Sequence, residues 1–90
     1  MEASSVKVTI TNKLGLHARP AMSFADTAAR FSSDIEVIKA GSRFDGKSIM
    51  NLMMLAATQG TELEIVASGP DADAAVAALR KLVESNFDED

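Results

Sequence analysis

The spacing of hydrophobic positions switches between two residues and three or four along this chain, and each switch marks an element. Val6, Val8 and Ile10 alternate with Lys7, Thr9 and Thr11, the period of a strand with one buried face. Asn12-Lys13-Leu14-Gly15 then reads as a loop. From Pro20 to Phe31 the spacing lengthens, and Ala21, Phe24, Ala25, Ala28 and Phe31 form the apolar stripe of a helix. Pro20 agrees with a helix start, because it lacks the N–H that the first turn leaves without an acceptor. Ser32-Ser33-Asp34 interrupts before a second strand at Ile35 to Ala40, and Gly41-Ser42 turns it into a shorter third strand around Arg43 and Phe44, a hairpin.

Asp45-Gly46-Lys47-Ser48 leads into a short helix that runs to about Ala57, with Gly60 ending it or the turn after it. Leu63, Ile65 and Ala67 alternate with Glu62, Glu64 and Val66 in a fourth strand, and Ser68-Gly69-Pro70-Asp71 breaks it. The last helix starts near Asp71 or Ala72 and carries the stripe Ala75, Val76, Leu79, Leu82 and Val83. Asp71 and Asp73 suit its positive end, Arg80 and Lys81 its later turns. Residues 86–90 are expected to fray as an acidic tail, and residues 1–5 and 88–90 to be flexible. The order βαββαβα calls for a small antiparallel or mixed sheet with helices on one face, and leaves Lys7, Thr9, Thr11, Glu62 and Glu64 on an open polar side. Ninety residues suffice for one domain, 1–90.

Composition narrows the chemistry. With 9 basic against 13 acidic residues, a net charge of −4 and four Phe as the only aromatics, the chain lacks the clustered cations and stacking rings that nucleic acid needs. It has no cysteine and one histidine, which removes disulfides, thiolate chemistry and structural zinc. Neither a metal nor a cofactor is expected. The first residues have no basic region followed by an apolar run, and no apolar stretch reaches membrane-spanning length, so a cytoplasmic protein with no membrane insertion is expected.

The single histidine lies in Gly15-Leu16-His17-Ala18-Arg19-Pro20-Ala21, at the entry to the first helix. A histidine beside apolar residues is ordinarily structural or solvated. Three neighbours favour a reactive one: Gly15 permits a tight turn, Arg19 suits phosphate oxygens, and the helix start offers unpaired amides and the positive end of the dipole. His17, Arg19 and the Ala18 amide thus form an anion site around a nucleophile. An autonomous enzyme is not expected, since no second acid or base accompanies the ring.

Ser48 to Leu55 is the other notable stretch. Leu52 and Leu55 share a stripe and read as core, while Ile49, Met50 and Met53 occupy another arc that would form an apolar patch for protein partners if exposed. Ser48 has two compatible readings, an N-cap and a modifiable serine whose phosphate would block docking on that patch.

The segment from Gly15 to Ala21, followed by Lys47-Ser48-Ile49-Met50 and Gln59-Gly60-Thr61-Glu62, closely resembles the HPr family, the histidine-containing phosphocarriers of the bacterial sugar phosphotransferase system. The likeness runs from about Val6 to Phe87. It implies an α+β fold, an open-faced β-sandwich with a four-stranded antiparallel sheet and three helices on one face. It further implies that His17 takes a phosphoryl group on Nδ1 from phosphorylated enzyme I, which draws on phosphoenolpyruvate, and passes it to enzyme IIA domains of sugar permeases. Arg19 would assist the phosphohistidine, Ser48 would be the target of a regulatory kinase, and the carrier would be a monomer. Two other readings remain: a carrier of the family's nitrogen or regulatory branch, and a ferredoxin-like interaction module that would not need His17.

Overall fold

The alternating and helical stretches resolve, in a computed structural model that describes residues 3–88, into β1 (Ala3–Thr9), α1 (Ala18–Ala29), β2 (Asp34–Lys39), β3 (Ser42–Asp45), α2 (Ile49–Leu55), β4 (Glu62–Ser68) and α3 (Ala72–Glu84), closed by a 3-10 turn at Asn86–Asp88. The strands form one sheet in the order β1-β4-β2-β3, antiparallel at every pairing. Central β4 aligns Ile65 with Val6 on one side and Val37 on the other, and Ala67 with Ile35. Register is strongly constrained here, because a slip of one residue would turn Leu63, Ile65 and Ala67 out to solvent. The helices cover the inner face and bury Ile10, Phe24, Val37, Leu52, Ile65, Leu79 and Val83. Each such large side chain contributes about 1.5–3 kcal/mol by leaving water. Exposed Lys7, Thr9 and Glu62 and half-buried Glu64 lie on the other face. Among the described residues no helix is long and apolar enough to cross a membrane.

Local chemistry accounts for the joints. β2 and β3 are joined through Ala40 and Gly41, both at positive φ (49° and 86°), the two-residue loop whose twist matches that of the strands. The α1–β2 turn is tied to the start of α3 by the Asp71 carboxylate, which accepts hydrogen bonds from the Ser32 amide at 2.8 Å, the Ser33 amide at 2.9 Å and the Ser33 hydroxyl at 2.5 Å. The Ser33 hydroxyl contributes most, and with the two amides it holds the Asp71 carboxyl below its usual titration range.

Both chain ends depart from expectation. Ala3–Ser5, expected to be flexible, open β1 and lie opposite Val66–Ser68. Edge pairing uses backbone N–H and C=O groups and needs no apolar side chain, so hydrophobic alternation does not register it. β1 also stops at Thr9, and Ile10 continues by exchanging bonds with the β4 lead-in: its amide donates to Thr61 O at 2.9 Å and its carbonyl accepts from Gly60 N at 2.7 Å. Asn86–Asp88, expected to fray, form the closing turn with Phe87 buried. The apolar gain from burying that ring outweighs the fraying tendency of a chain end. The rest of the expected flexible ends, residues 1–2 and 89–90, lies outside the described residues.

Candidate functional site

α1 begins at Ala18, two residues ahead of Pro20, and His17 is its N-cap, with extended backbone (φ −82°, ψ −170°) and a carbonyl that accepts from the Ala21 amide at 2.9 Å. The His17 ring does not cap the helix's own amides. Within the helix the Ala18 and Arg19 amides have no acceptor, and Pro20 carries no N–H, so this end of α1 presents donors outward.

The loop ahead of His17 is held on both sides of Gly15. Asn12 Nδ2 donates to Gly15 O at 2.7 Å, the Gly15 amide donates to Asn12 O at 3.2 Å, and the Leu16 amide donates to Ala57 O at 2.8 Å. Gly15 has φ +69°, and a Cβ there would lie 2.3 Å from Ala57 O. No other residue type satisfies both demands. Leu16 is buried, so the residue before His17 anchors in the core and the backbone of His17 is pinned.

His17 is half-buried and Ala18 and Arg19 are exposed. Together with Asn12, Lys13, Leu14, Phe87 and Asp88 they line one open depression. His17, Ala18 and Arg19 therefore line the same depression. Asn12, Lys13, Leu14, Phe87 and Asp88 were not expected in this wall. The signal for Phe87 was available, since Leu79, Val83 and Phe87 are spaced by four.

Ser48 heads α2, and its hydroxyl accepts from the Asn51 amide at 3.1 Å and Asn51 Nδ2 at 3.2 Å. The capping reading is thus realised. Leu52 and Leu55 are buried, whereas Ile49, Met50 and Met53 are exposed, Met50 by 75%. Met54, on the same helix, and Leu14 and Met22 elsewhere in the chain are exposed as well. α2 packs against α1, but Ser48 does not line the depression around His17.

An antiparallel β1-β4-β2-β3 sheet, helices on one face and a histidine at the N-cap of the first helix form the architecture that the resemblance to the HPr family implies. The particular family follows from comparison: the model for the PTS HPr component phosphorylation site matches residues 4–85, and the chain belongs to the HPr family. The phosphocarrier protein HPr of Neisseria meningitidis serogroup A is 49% identical over 82 residues, 91% of this chain and 92% of that protein. A crystal structure of HPr from Thermoanaerobacter tengcongensis superposes with a TM-score of 0.93 at 45% identity, covering 97% of this chain and 98% of the other. The phosphocarrier protein NPr of Shewanella violacea is 40% identical over 83 residues, 92% of this chain and 91% of that protein. The protein is thus a phosphocarrier of the phosphotransferase system and not a ferredoxin-like interaction module.

Proposed function

We propose that His17 accepts a phosphoryl group on Nδ1 from phosphorylated enzyme I and delivers it to enzyme IIA domains of sugar permeases in the cytoplasm. The observation that carries this reading is the position of His17 as N-cap of α1, in one open depression with the Ala18 amide and Arg19. Attack on phosphorus requires a ring nitrogen with its lone pair available, so the imidazole acts in its neutral form. The donor's bond to phosphorus breaks as the Nδ1–P bond forms, and the helix amides and the Arg19 guanidinium offset the negative charge that arrives. Positioning and charge suffice for such a transfer, and an open site lets the same group leave in line toward the next protein.

The exposed apolar face of α2 suits docking partners. Ile49, Met50 and Met53, with Met54 next to them, offer adaptable side chains to more than one docking protein. Ser48, at the head of that helix, is the regulatory phosphorylation site in this reading, a target for an HPr kinase, because a dianion there would face any partner covering the methionines. A carrier of the nitrogen or regulatory branch is the second reading, favoured by the likeness to NPr. Offering the phosphorylated protein to a sugar-type and a nitrogen-type IIA domain in parallel distinguishes the two by which one drains the label.

Incubation with enzyme I and labelled phosphoenolpyruvate is expected to give an acid-labile label on the wild-type protein and none on His17→Ala. Arg19→Ala should slow transfer about ten- to a hundredfold, the size of one lost charge-assisted hydrogen bond, with an unchanged thermal midpoint. Undiminished label on His17→Ala would overturn the assignment.

A further inference from the structure

Sulfur enters this chain only as methionine, since there is no cysteine, so a mild peroxide meets thioethers and no thiol. Every methionine among the described residues is exposed, Met22 on α1 and Met50, Met53 and Met54 on α2. The three on α2 are spaced by three and four residues, which sets their side chains side by side on one face of the helix. They are 75%, 44% and 70% exposed. The helix is held in place by other groups: buried Leu52 and Leu55, the Ser48 cap, Lys39 Nζ donating to Leu55 O at 3.1 Å, and the Asp45 amide donating to Asn51 Oδ1 at 3.3 Å. None of these contacts uses a thioether. The outer face of α2 can therefore change its chemistry while the helix keeps its place.

We propose that Met50, Met53 and Met54 form a reversible oxidation site, at which a peroxide turns the docking face of α2 from apolar to polar and so weakens the encounter with enzyme I. The inference rests on the reading of the protein as a carrier that docks through this face. The thioether sulfur attacks one oxygen of hydrogen peroxide: the S–O bond forms, the O–O bond breaks, and the departing oxygen takes up the proton of the transferred one to leave as water. Sulfur is oxidised to the sulfoxide and the peroxide is reduced. A thioether is soft and adaptable against an apolar partner. A sulfoxide oxygen is a strong acceptor, and covering it without a donor is costly. Met50 and Met54, the more exposed pair, react ahead of Met53. No residue of α2 lines the depression around His17, so oxidation acts on docking and not on the transfer step.

The test treats the full-length protein alone with limited hydrogen peroxide, removes the excess with catalase, and locates added oxygen by mass spectrometry. Untreated enzyme I and phosphoenolpyruvate then give KM for the carrier and kcat. Each protein is compared with its own untreated sample, and the variant carries Met50→Leu, Met53→Leu and Met54→Leu together, which keeps the face apolar and Met22 oxidisable. The expected result for the wild-type sequence is a KM raised about tenfold, with kcat and the circular dichroism spectrum unchanged. Methionine sulfoxide reductases for both epimers should restore KM, and the ratio of treated to untreated KM in the triple variant should stay near one. An unchanged KM with sulfoxide present on α2, an equal rise in the triple variant, a loss confined to kcat, a loss of helical signal, or no recovery with the reductases overturns the inference and leaves the carrier reading intact. Failure of the untreated protein to take up phosphate overturns both.

Discussion

At the scale of single residues, position matters more here than chemical rarity. The catalytic possibilities of His17 depend on its backbone being locked between buried Leu16 and the first turn of α1, and that lock depends on Gly15, where both a positive φ and the nearness of Ala57 O exclude a side chain. Asp71 shows the same logic in a structural role. Its carboxylate accepts from Ser33 Oγ and from the amides of Ser32 and Ser33, so it gives up its charge in the folded state at a lower pH than the ordinary aspartate value of 3.8. The unfolded chain then binds this proton more readily than the folded one, and the stabilisation is complete above that ordinary value and lost as pH falls through the lowered folded one. Asp71→Asn should therefore lower the urea midpoint at pH 7, and the gap to wild type should narrow once pH drops below about 4. A gap that stays constant from pH 7 to pH 2.5 would mean the three donors do not depend on the charge.

At the scale of elements, α2 combines two tasks in seven residues. Leu52 and Leu55 fasten one side to the core while Met50, Met53 and Met54 face solvent. A helix this short does not persist by propensity. It depends on Ser48 at its start, on the left-handed Ala56 at its end and on Lys39 Nζ, which donates to Leu55 O at 3.1 Å. Ser48→Ala should cost about 1 kcal/mol, read as a drop of roughly 4–8 °C in thermal midpoint for a domain of this size, while leaving phosphoryl transfer near the wild-type rate. Ser48→Asp should weaken enzyme I docking with little change in the circular dichroism spectrum. Equal docking by the two variants would remove the support for a regulatory role at this serine.

At the scale of the whole molecule, the two chain ends close the fold. β1 reaches back to Ala3 along β4, and Phe87 joins the core cluster and lines the depression around His17. Domains of this kind are marginally stable, by about 5–15 kcal/mol, so a sealed end matters. Phe87→Ala should cost about 3–5 kcal/mol in a urea titration and also release Asp88 from the depression. A loss below about 1 kcal/mol would place Phe87 outside the cooperative core.

How much of this was legible in the chain divides along physical lines. Strand and helix periods, the proline at the start of α1, the serine at the start of α2 and the histidine–arginine pair are local properties, carried by the spacing and type of neighbouring residues, and they gave the element order and put His17 at the entry to α1. Leu52 and Leu55 were separable from Ile49, Met50 and Met53 for the same reason, since a helix converts spacing into faces. The pairing of Ala3–Ser5, the exposure of Leu14, Met22 and Met54, and the return of Asp88 to the start of α1 were not legible. These are contacts between segments far apart in the chain, settled by which surfaces compete to leave water and which backbone groups find partners once the sheet has closed. Phe87 marks the boundary: its spacing from Leu79 and Val83 offered a signal that the expectation of a frayed tail passed over, and the left-handed turn that delivers the ring to the core, with the carboxylate that follows it, is decided by burial of that ring.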